Sequence, residues 1–128
     1  MSIQLNHTIV VARDKAASAE FVAGVLGLKV SPPFGPFLPV ETANGVTLDF
    51  MDAGPKPVVP QHYAFLVSEE EFDAIFARIQ QAGIPYYADP AHQEEGEINH
   101  LDGGRGTYFD DPNGHRLEII TRPYGSGS

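Results

Sequence analysis

The chain has 128 residues, with 8 Lys or Arg against 17 Asp or Glu, and a formal net charge of −9. This length fits one domain, or two half-sized units that share a core, and the negative charge disfavours partners such as nucleic acid or an anionic membrane surface. The absence of cysteine excludes disulfides, thiolate metal ligands and a cysteine nucleophile. With no apolar run near the ~20 residues of a membrane span and no signal-peptide pattern, we expect a cytoplasmic protein.

The first half of the chain reads as a strand, a helix and further strands. Leu5–Ala12 is β-branched and apolar on both faces, which is typical of a covered strand. Apolar residues at helical spacing follow, and Gly27 stands where a helix commonly ends. Two strand candidates and a proline-rich edge or loop come next, in the order Leu28–Ser31, Pro32–Pro39 and Val46–Met51.

The same order returns after a proline-containing linker at Ala53–Pro60. His62–Val67 is a strand candidate, and Ser68 with Glu71 forms a capping box that predicts the start of a second helix. Three strand candidates and one long polar loop at 89–104 complete this half. The strand candidates are Ile84–Tyr87, Gly106–Phe109 and His115–Thr121.

A seven-residue pattern occurs near the end of each half. Asn44–Phe50 and Asn113–Ile119 both read Asn-Gly-x-x-Leu-acid-apolar, and Asn-Gly is a hairpin signal. The first strands of the two halves also match at one histidine each. Each half therefore offers one histidine and one carboxylate, namely His7 with Asp49 and His62 with Glu118.

These residue types suit a divalent metal ion. Neutral imidazoles and carboxylates bind Zn²⁺, Ni²⁺, Mn²⁺ or Fe²⁺, and two histidines with one carboxylate leave positions open for a bidentate oxygen substrate or O₂. Such a metal acts as a Lewis acid that stabilises an enediolate-like intermediate. If the halves pair about a pseudo-twofold axis, the four side chains can converge on one site.

The sequence resembles the vicinal oxygen chelate superfamily, which includes glyoxalase I, extradiol dioxygenases, fosfomycin-resistance transferases and bleomycin-binding proteins. The resemblance spans residues 3–122 and is carried by LNHTIVV, QHYAFLV and, most specifically, GTYFDDPNGHRLEII. It implies a single α+β domain at residues 1–122. Two βαβββ modules, at about 3–52 and 61–122, would form a curved mixed sheet or half-barrel around a central cavity. Residues 123–128 are expected to form a flexible tail.

The resemblance also implies roles for individual residues. His7, His62 and Glu118 match the metal ligands that the family uses most widely. Asp49 falls where some members carry a fourth ligand, usually glutamate, so it is either that ligand or a polar wall. Glu118 or Asp49 can also act as the base that moves a proton. From their places in the sequence, and not from the resemblance, four further side chains are expected to contact the substrate: Tyr63, Tyr108, Arg105 and Phe37.

Three functions are compatible with this pattern. The first is a metalloenzyme acting on a small substrate with vicinal oxygens, either as a glyoxalase-like lyase or isomerase or as a dioxygenase. The second is non-catalytic binding of a drug or natural product, as in bleomycin resistance. The third is a vestigial site used for association, which the four retained polar positions argue against. Fosfomycin transfer is disfavoured because 8 Lys and Arg supply little positive charge for a phosphonate. A homodimer is expected, since family members of this length commonly pair.

Overall fold

The computed structural model describes residues 2–127, which divide into two compact units between Val59 and Pro60. Each unit contains one α-helix and one three-stranded mixed sheet. The predicted α+β class is therefore confirmed. Across the described residues, no helix has the length and apolar character needed to cross a bilayer.

Unit 1 consists of β1 (His7–Ala12), α1 (Lys15–Leu26), β2 (Leu38–Glu41) and β3 (Thr47–Asp52). Strand β3 lies at the centre of the sheet, parallel to β1 and antiparallel to β2. The carboxylate of Asp14 accepts hydrogen bonds from the first amides of α1. Gly27 ends the helix with a left-handed φ of 76°, as the sequence predicted.

The sheet of unit 1 has one buried face and one face that carries the predicted site residues. Helix α1 contacts all three strands. Its buried residues, with those of the sheet, form the core: Val10, Ala12, Ala19, Val22, Ala23, Val25, Val40, Leu48 and Phe50. Because strand side chains alternate between faces, His7 and Asp49 lie on the opposite face from Val10 and Leu48.

Unit 2 consists of β4 (His62–Leu66), α2 (Glu69–Gln81), a 3₁₀ turn at Leu101–Gly103, β5 (Gly106–Asp110) and β6 (Arg116–Ile120). Its central strand β6 is parallel to β4 and antiparallel to β5, so the topology repeats that of unit 1. The predicted capping box is present: the Ser68 hydroxyl accepts from the amide of Glu71, whose carboxylate accepts from the amide of Ser68. The core of this unit includes Phe72, Ile75, Ile79, Phe109, Leu117 and Ile119.

The structure corrects one prediction in each half. The sequence predicted three strands after each helix, but only two form ladders. Leu28–Ser31 contributes a single bridge from Val30 to Val40, and Ile84–Tyr87 contributes bridges only at Tyr87. Prolines follow or interrupt both segments, and proline has no amide hydrogen to give to a ladder.

Candidate functional site

His62 and Glu118 meet on one face of the unit 2 sheet. Strand β4 runs parallel to β6 with His62 opposite Arg116 and Ala64 opposite Glu118. The two predicted ligands are therefore offset by two residues on neighbouring strands and share a face. Nε2 of His62 lies 3.1 Å from Oε1 of Glu118. The imidazole is 49% exposed, whereas the carboxylate is fully buried.

The hydrogen bonding of His62 fixes which ring nitrogen faces the carboxylate. Nδ1 lies 3.1 Å from the backbone carbonyl oxygen of Arg116, which can only accept. Nδ1 therefore carries a hydrogen, and in the neutral ring Nε2 presents a lone pair toward Oε1. Two acceptors at this distance need a hydrogen between them, carried by Nε2 or by Oε1, or a shared cation. An Nδ1–H bond to a backbone carbonyl is the usual arrangement behind a metal-ligating histidine.

Two tyrosine hydroxyls line up behind the other oxygen of Glu118. The Tyr124 hydroxyl donates to Oε2, and it lies 3.0 Å from the Tyr108 hydroxyl. Because Tyr124 has one hydroxyl hydrogen, Tyr108 donates to Tyr124. Burial raises the pKa of Tyr124 far above its usual value, and hydrogen bonding to Glu118 adds to the rise. Burial likewise raises the pKa of Tyr108, so both hydroxyls remain protonated donors at neutral pH.

The turn before β6 holds these strands in register. The buried His115 accepts at Nδ1 from the amide of Gln61, at 2.9 Å, which ties the start of β4 to the start of β6. The carboxylate of Asp111 accepts from the amides of Asn113 and His115 and closes the turn. These contacts place His62 two positions before the residue that pairs with Glu118.

Unit 1 repeats the same offset with the other two predicted ligands. His7 lies opposite Thr47, and Ile9 lies opposite Asp49, so His7 and Asp49 are again two positions apart on parallel strands. Nδ1 of His7 lies 2.7 Å from Oδ1 of Asn6, which leaves its Nε2 free of that bond. His7 is exposed and Asp49 is half-buried, in contrast to the buried Glu118.

The structure thus brings the predicted ligands together in pairs. His62 and Glu118 are in direct contact within unit 2, and His7 and Asp49 lie on adjacent strands within unit 1. Within neither unit, over residues 2–127, do three His, Asp or Glu side chains form a group that could hold a metal ion. The imidazole and carboxylate of unit 2 nonetheless fit a divalent transition metal by donor type.

The four predicted substrate contacts have different surroundings. Tyr108 pairs across the sheet with Glu118 and stacks on the His62 ring, with centroids 6.0 Å apart. Tyr63 lies on the other face of β4, edge-on to His115, and burial raises its pKa, with Asp111 adding to the rise. Phe37 is half-buried and bridges to Phe34 in unit 1.

Arg105 is engaged by helix α2. Its guanidinium donates to the carboxylates of Glu69 and Asp73, both at 2.8 Å, and to the backbone carbonyl of Glu69. It also lies 4.4 Å from the centroid of the Phe72 ring. These contacts anchor α2 to the residue that precedes β5. A substrate contact of Arg105 stays a prediction.

An open groove of about 430 Å³ lies beside His62. It is lined by Pro60, Gln61, His62, Pro90, Gly114 and Arg116. The exposed side of the imidazole therefore faces a space that is large enough for a small molecule.

The sequence patterns did not predict that Tyr124 contacts the site residue Glu118. The segment 123–128 was expected to be a flexible tail, yet the Tyr124 hydroxyl reaches the buried carboxylate. The only signal in the sequence is an aromatic residue six positions after Glu118, between a proline and a glycine. No sequence pattern distinguishes a tyrosine in such a segment after a strand from an ordinary surface residue.

A sequence model of the Glyoxalase/Bleomycin resistance protein/Dioxygenase superfamily matches residues 4–119. The chain belongs to this superfamily. The match covers both units and includes all four predicted ligands, and it confirms the resemblance to the vicinal oxygen chelate proteins.

The chain is also similar to three known proteins. The chain is 33% identical over 120 residues to the glutathione transferase FosA of Serratia marcescens, covering 90% of this chain and 78% of that protein. The solved structure of the oxidase ChaP-H2 is 66% identical, with a TM-score of 0.97 and full coverage of both chains. That of the oxidase ChaP-H1 is 59% identical, with a TM-score of 0.94, covering 97% of this chain and 99% of that one.

Proposed function

We propose that this protein is a metal-dependent oxidase that acts on a small substrate with vicinal oxygens. The observation that carries the oxidase class is the 66% identity to the oxidase ChaP-H2 over the whole of both chains. The 33% identity to FosA is much lower, and a phosphonate substrate suits a chain with a net charge of −9 poorly.

The metal is proposed to bind through His62 and Glu118, with His7 as a further ligand and Asp49 as a fourth ligand or polar wall. Support comes from the Nε2 lone pair of His62, which faces a buried carboxylate oxygen at 3.1 Å. Two histidines and one carboxylate suit Fe²⁺ in enzymes that use O₂, and the same donors accept Mn²⁺, Zn²⁺ or Ni²⁺. When bound, such an ion supplies Lewis-acid polarisation of the substrate oxygens and a path for electrons to O₂.

The side chains around this pair are proposed to orient the reactants. The bond from Nδ1 to the Arg116 carbonyl holds the imidazole with Nε2 toward Glu118. The Tyr108 ring, stacked on His62, supplies a flat wall for the substrate, and the groove beside His62 gives it an entrance. Asp49 is proposed as the base that accepts a substrate proton, since its half-buried carboxylate occupies the unit 1 position equivalent to Glu118.

Metal analysis tests the first half of this proposal. The chain is purified without a chelator or metal-affinity tag, and its metal content is measured for the wild type, His62→Ala and Glu118→Ala. His100→Ala is a matched control, because His100 is an exposed histidine before the 3₁₀ turn. We expect one transition metal ion per chain in the wild type and the control, and none in the two site variants. Failure of the protein to bind added Fe²⁺, Mn²⁺, Zn²⁺ and Ni²⁺ would contradict the proposal of a metalloenzyme and favour non-catalytic ligand sequestration.

Oxygen consumption tests the second half. The Fe²⁺-loaded protein is offered a panel of catechols, α-hydroxy ketones and hydroxyquinones, and dissolved O₂ is followed with an electrode. We expect at least one class to drive O₂ uptake that His62→Ala abolishes. Conversion of an α-hydroxy ketone without O₂ uptake would instead indicate lyase or isomerase chemistry.

A further inference from the structure

The last described residues form an ordered strap, residues 122–127, that follows β6. Within the strap, the amide and hydroxyl of Ser126 donate to the carbonyl oxygen of Pro123, at 3.1 and 2.5 Å. Arg122 donates to the carbonyl of Ser126 at 3.2 Å. The segment therefore has a defined turn that fixes where the Tyr124 side chain points.

Asp102 fastens this strap to the 3₁₀ turn. Its two carboxylate oxygens accept from the amides of Gly125, at 3.1 Å, and Gly127, at 3.3 Å. Asp102 has a positive φ of 56°, a conformation that aspartate tolerates better than most residues. The carboxylate thus joins the 3₁₀ turn to the strap, through glycines that lie 23 and 25 residues after Asp102 in the sequence.

Tyr124 is exposed at its apolar part and buried at its polar end. The residue is 55% exposed overall, yet its hydroxyl reaches Oε2 of the fully buried Glu118 and the hydroxyl of Tyr108. A tyrosine retained for packing would bury its ring. This arrangement indicates that the hydroxyl, and not the ring, is the part that the site uses.

We propose that Tyr124 is a positioning residue for Glu118, delivered by the strap and held there by Asp102. The inference rests on the proposed metal site. The terminal torsion of a glutamate is broad, so a carboxylate with no partner can rotate its plane over a wide range. The Tyr124 hydroxyl, bonded to one oxygen, restricts this rotation and keeps the other oxygen directed at Nε2 of His62. Outer partners of this kind commonly change metal affinity by about 10–100-fold.

Metal affinity tests this role. Dissociation constants for Zn²⁺ and Co²⁺ are measured by competition with a chromophoric chelator for the wild type, Tyr124→Phe and Asp102→Asn. Tyr86→Phe is the control, because the Tyr86 hydroxyl accepts a hydrogen bond from the side-chain amide of Gln80, at 3.4 Å, and its ring packs against Phe76 of α2. We expect Tyr124→Phe to weaken binding by about 10–100-fold, and Tyr86→Phe to leave it unchanged.

Asp102 acts through Tyr124 in this proposal, so the losses of metal affinity caused by Asp102→Asn and Tyr124→Phe should not be additive. Asp102→Asn should weaken metal binding less than Tyr124→Phe, and the double variant should bind no more weakly than Tyr124→Phe alone. Additive losses would overturn the strap's role. Unchanged affinity in Tyr124→Phe would overturn the positioning role, and tighter affinity would do so too, because the hydroxyl would then compete with the metal for Glu118.

A metal-free measurement separates this inference from the proposed function. In chelator-treated protein, amide exchange at Gly125 and Gly127 is followed by NMR. We expect protected amides in the wild type and exchange roughly ten-fold faster in Tyr124→Phe, because a hydrogen bond to a buried charge is lost. Wild-type exchange as fast as in an unstructured peptide overturns the inference. Wild-type protein with protected amides and no metal affinity would leave the strap and its bond to Glu118 in place, but it would overturn the proposed metal site and, with it, the role of Tyr124 in metal binding.

Discussion

Glu118 is a fully buried carboxylate that contacts the imidazole of His62 and the hydroxyl of Tyr124, with Tyr108 also close by. Without a metal ion, burial of this charge is costly. Replacing a buried ion pair by apolar residues is often neutral or stabilising, whereas removing one partner destabilises when it leaves the other charge buried. His62 and Tyr124 are both about half exposed, so each can bond to water if the carboxylate is removed. If Glu118 binds a metal ion, as we propose, we expect it to lower the stability of the metal-free protein.

Glu118→Met tests this conflict. We expect metal binding to be lost and the free energy of unfolding of the metal-free protein to rise by about 1 kcal/mol or more. Thermal or urea unfolding in the presence of a chelator gives the measurement. A lower stability than the wild type would mean that the Tyr124 and His62 bonds already compensate the buried charge.

Two glycines should respond to alanine with opposite signs. Gly24 lies exposed within α1, where a glycine is less stable than alanine by about 0.5–1 kcal/mol. Gly114 has a φ of 87° in the turn before β6, which alanine adopts poorly. No atom would contact an added Cβ at either position within 4 Å. We expect Gly24→Ala to raise, and Gly114→Ala to lower, the midpoint of urea unfolding.

The elements with strong local signals were predicted correctly. The Ser68 capping box and the Gly27 helix end are set by side chains within a few residues, and the structure contains both. The paired Asn-Gly patterns correctly indicated equivalent strands, since both units place their histidine and acid at the same offset. The strand predicted directly after the helix of each half does not form a ladder. Ladder formation depends on neighbouring strands, which the local sequence does not specify.

The site was predictable only in part. His62 and Glu118 were predicted to lie together because each has a repeat partner, His7 or Asp49, at the matching position, and the structure places the two side chains in contact. Tyr124 lies beyond the repeat and has no such partner. Arg105 was assigned to a substrate by its charge, but its carboxylate partners on α2 are more than 30 residues away in the sequence.

The contact between Arg105 and α2 gives a pH prediction. The Thr121 hydroxyl and the Arg105 guanidinium hold the pKa of Glu69 below its ordinary value of 4.5. A lowered folded-state pKa stabilises the protein above the ordinary pKa, and this contribution is lost as the pH falls through the lowered value. We expect Arg105→Leu to lower the melting temperature at pH 7 and the difference from the wild type to shrink below pH 4. A difference that persists in acid would point to the loss of packing on Phe72 instead.

In both sheets of the molecule, the strand that comes first in the sequence lies at an edge: β1 in unit 1 and β4 in unit 2. Within residues 2–127, strands β1 and β4 each pair on one side only. They carry Ile9 and Leu66, which are exposed by 44% and 62%. Exposed edge strands with apolar side chains are suited to association. We propose that the protein forms a homodimer through one or both of these strands.

Light scattering tests the dimer. We expect a mass near that of two 13.9 kDa chains, and a shift toward one chain in Ile9→Lys or Leu66→Lys. Phe34→Lys is the control, because Phe34 is 74% exposed but lies outside both edge strands. A single-chain mass in the wild type at micromolar concentration would contradict the proposal.

The parallel pairing of the first and last strands in each unit also dictates an order of events during synthesis. All pairings of the unit 1 sheet lie between His7 and Asp52, so this sheet can close while the ribosome is still making unit 2. Strand β4 must wait for β6, since His62 and Arg116 are 54 residues apart. At about 5–20 residues per second, that interval is roughly 3–11 s. For those seconds, a nascent chain with a folded first half exposes β4 without its partner strand β6. This is the period in which we expect chaperone binding to matter most.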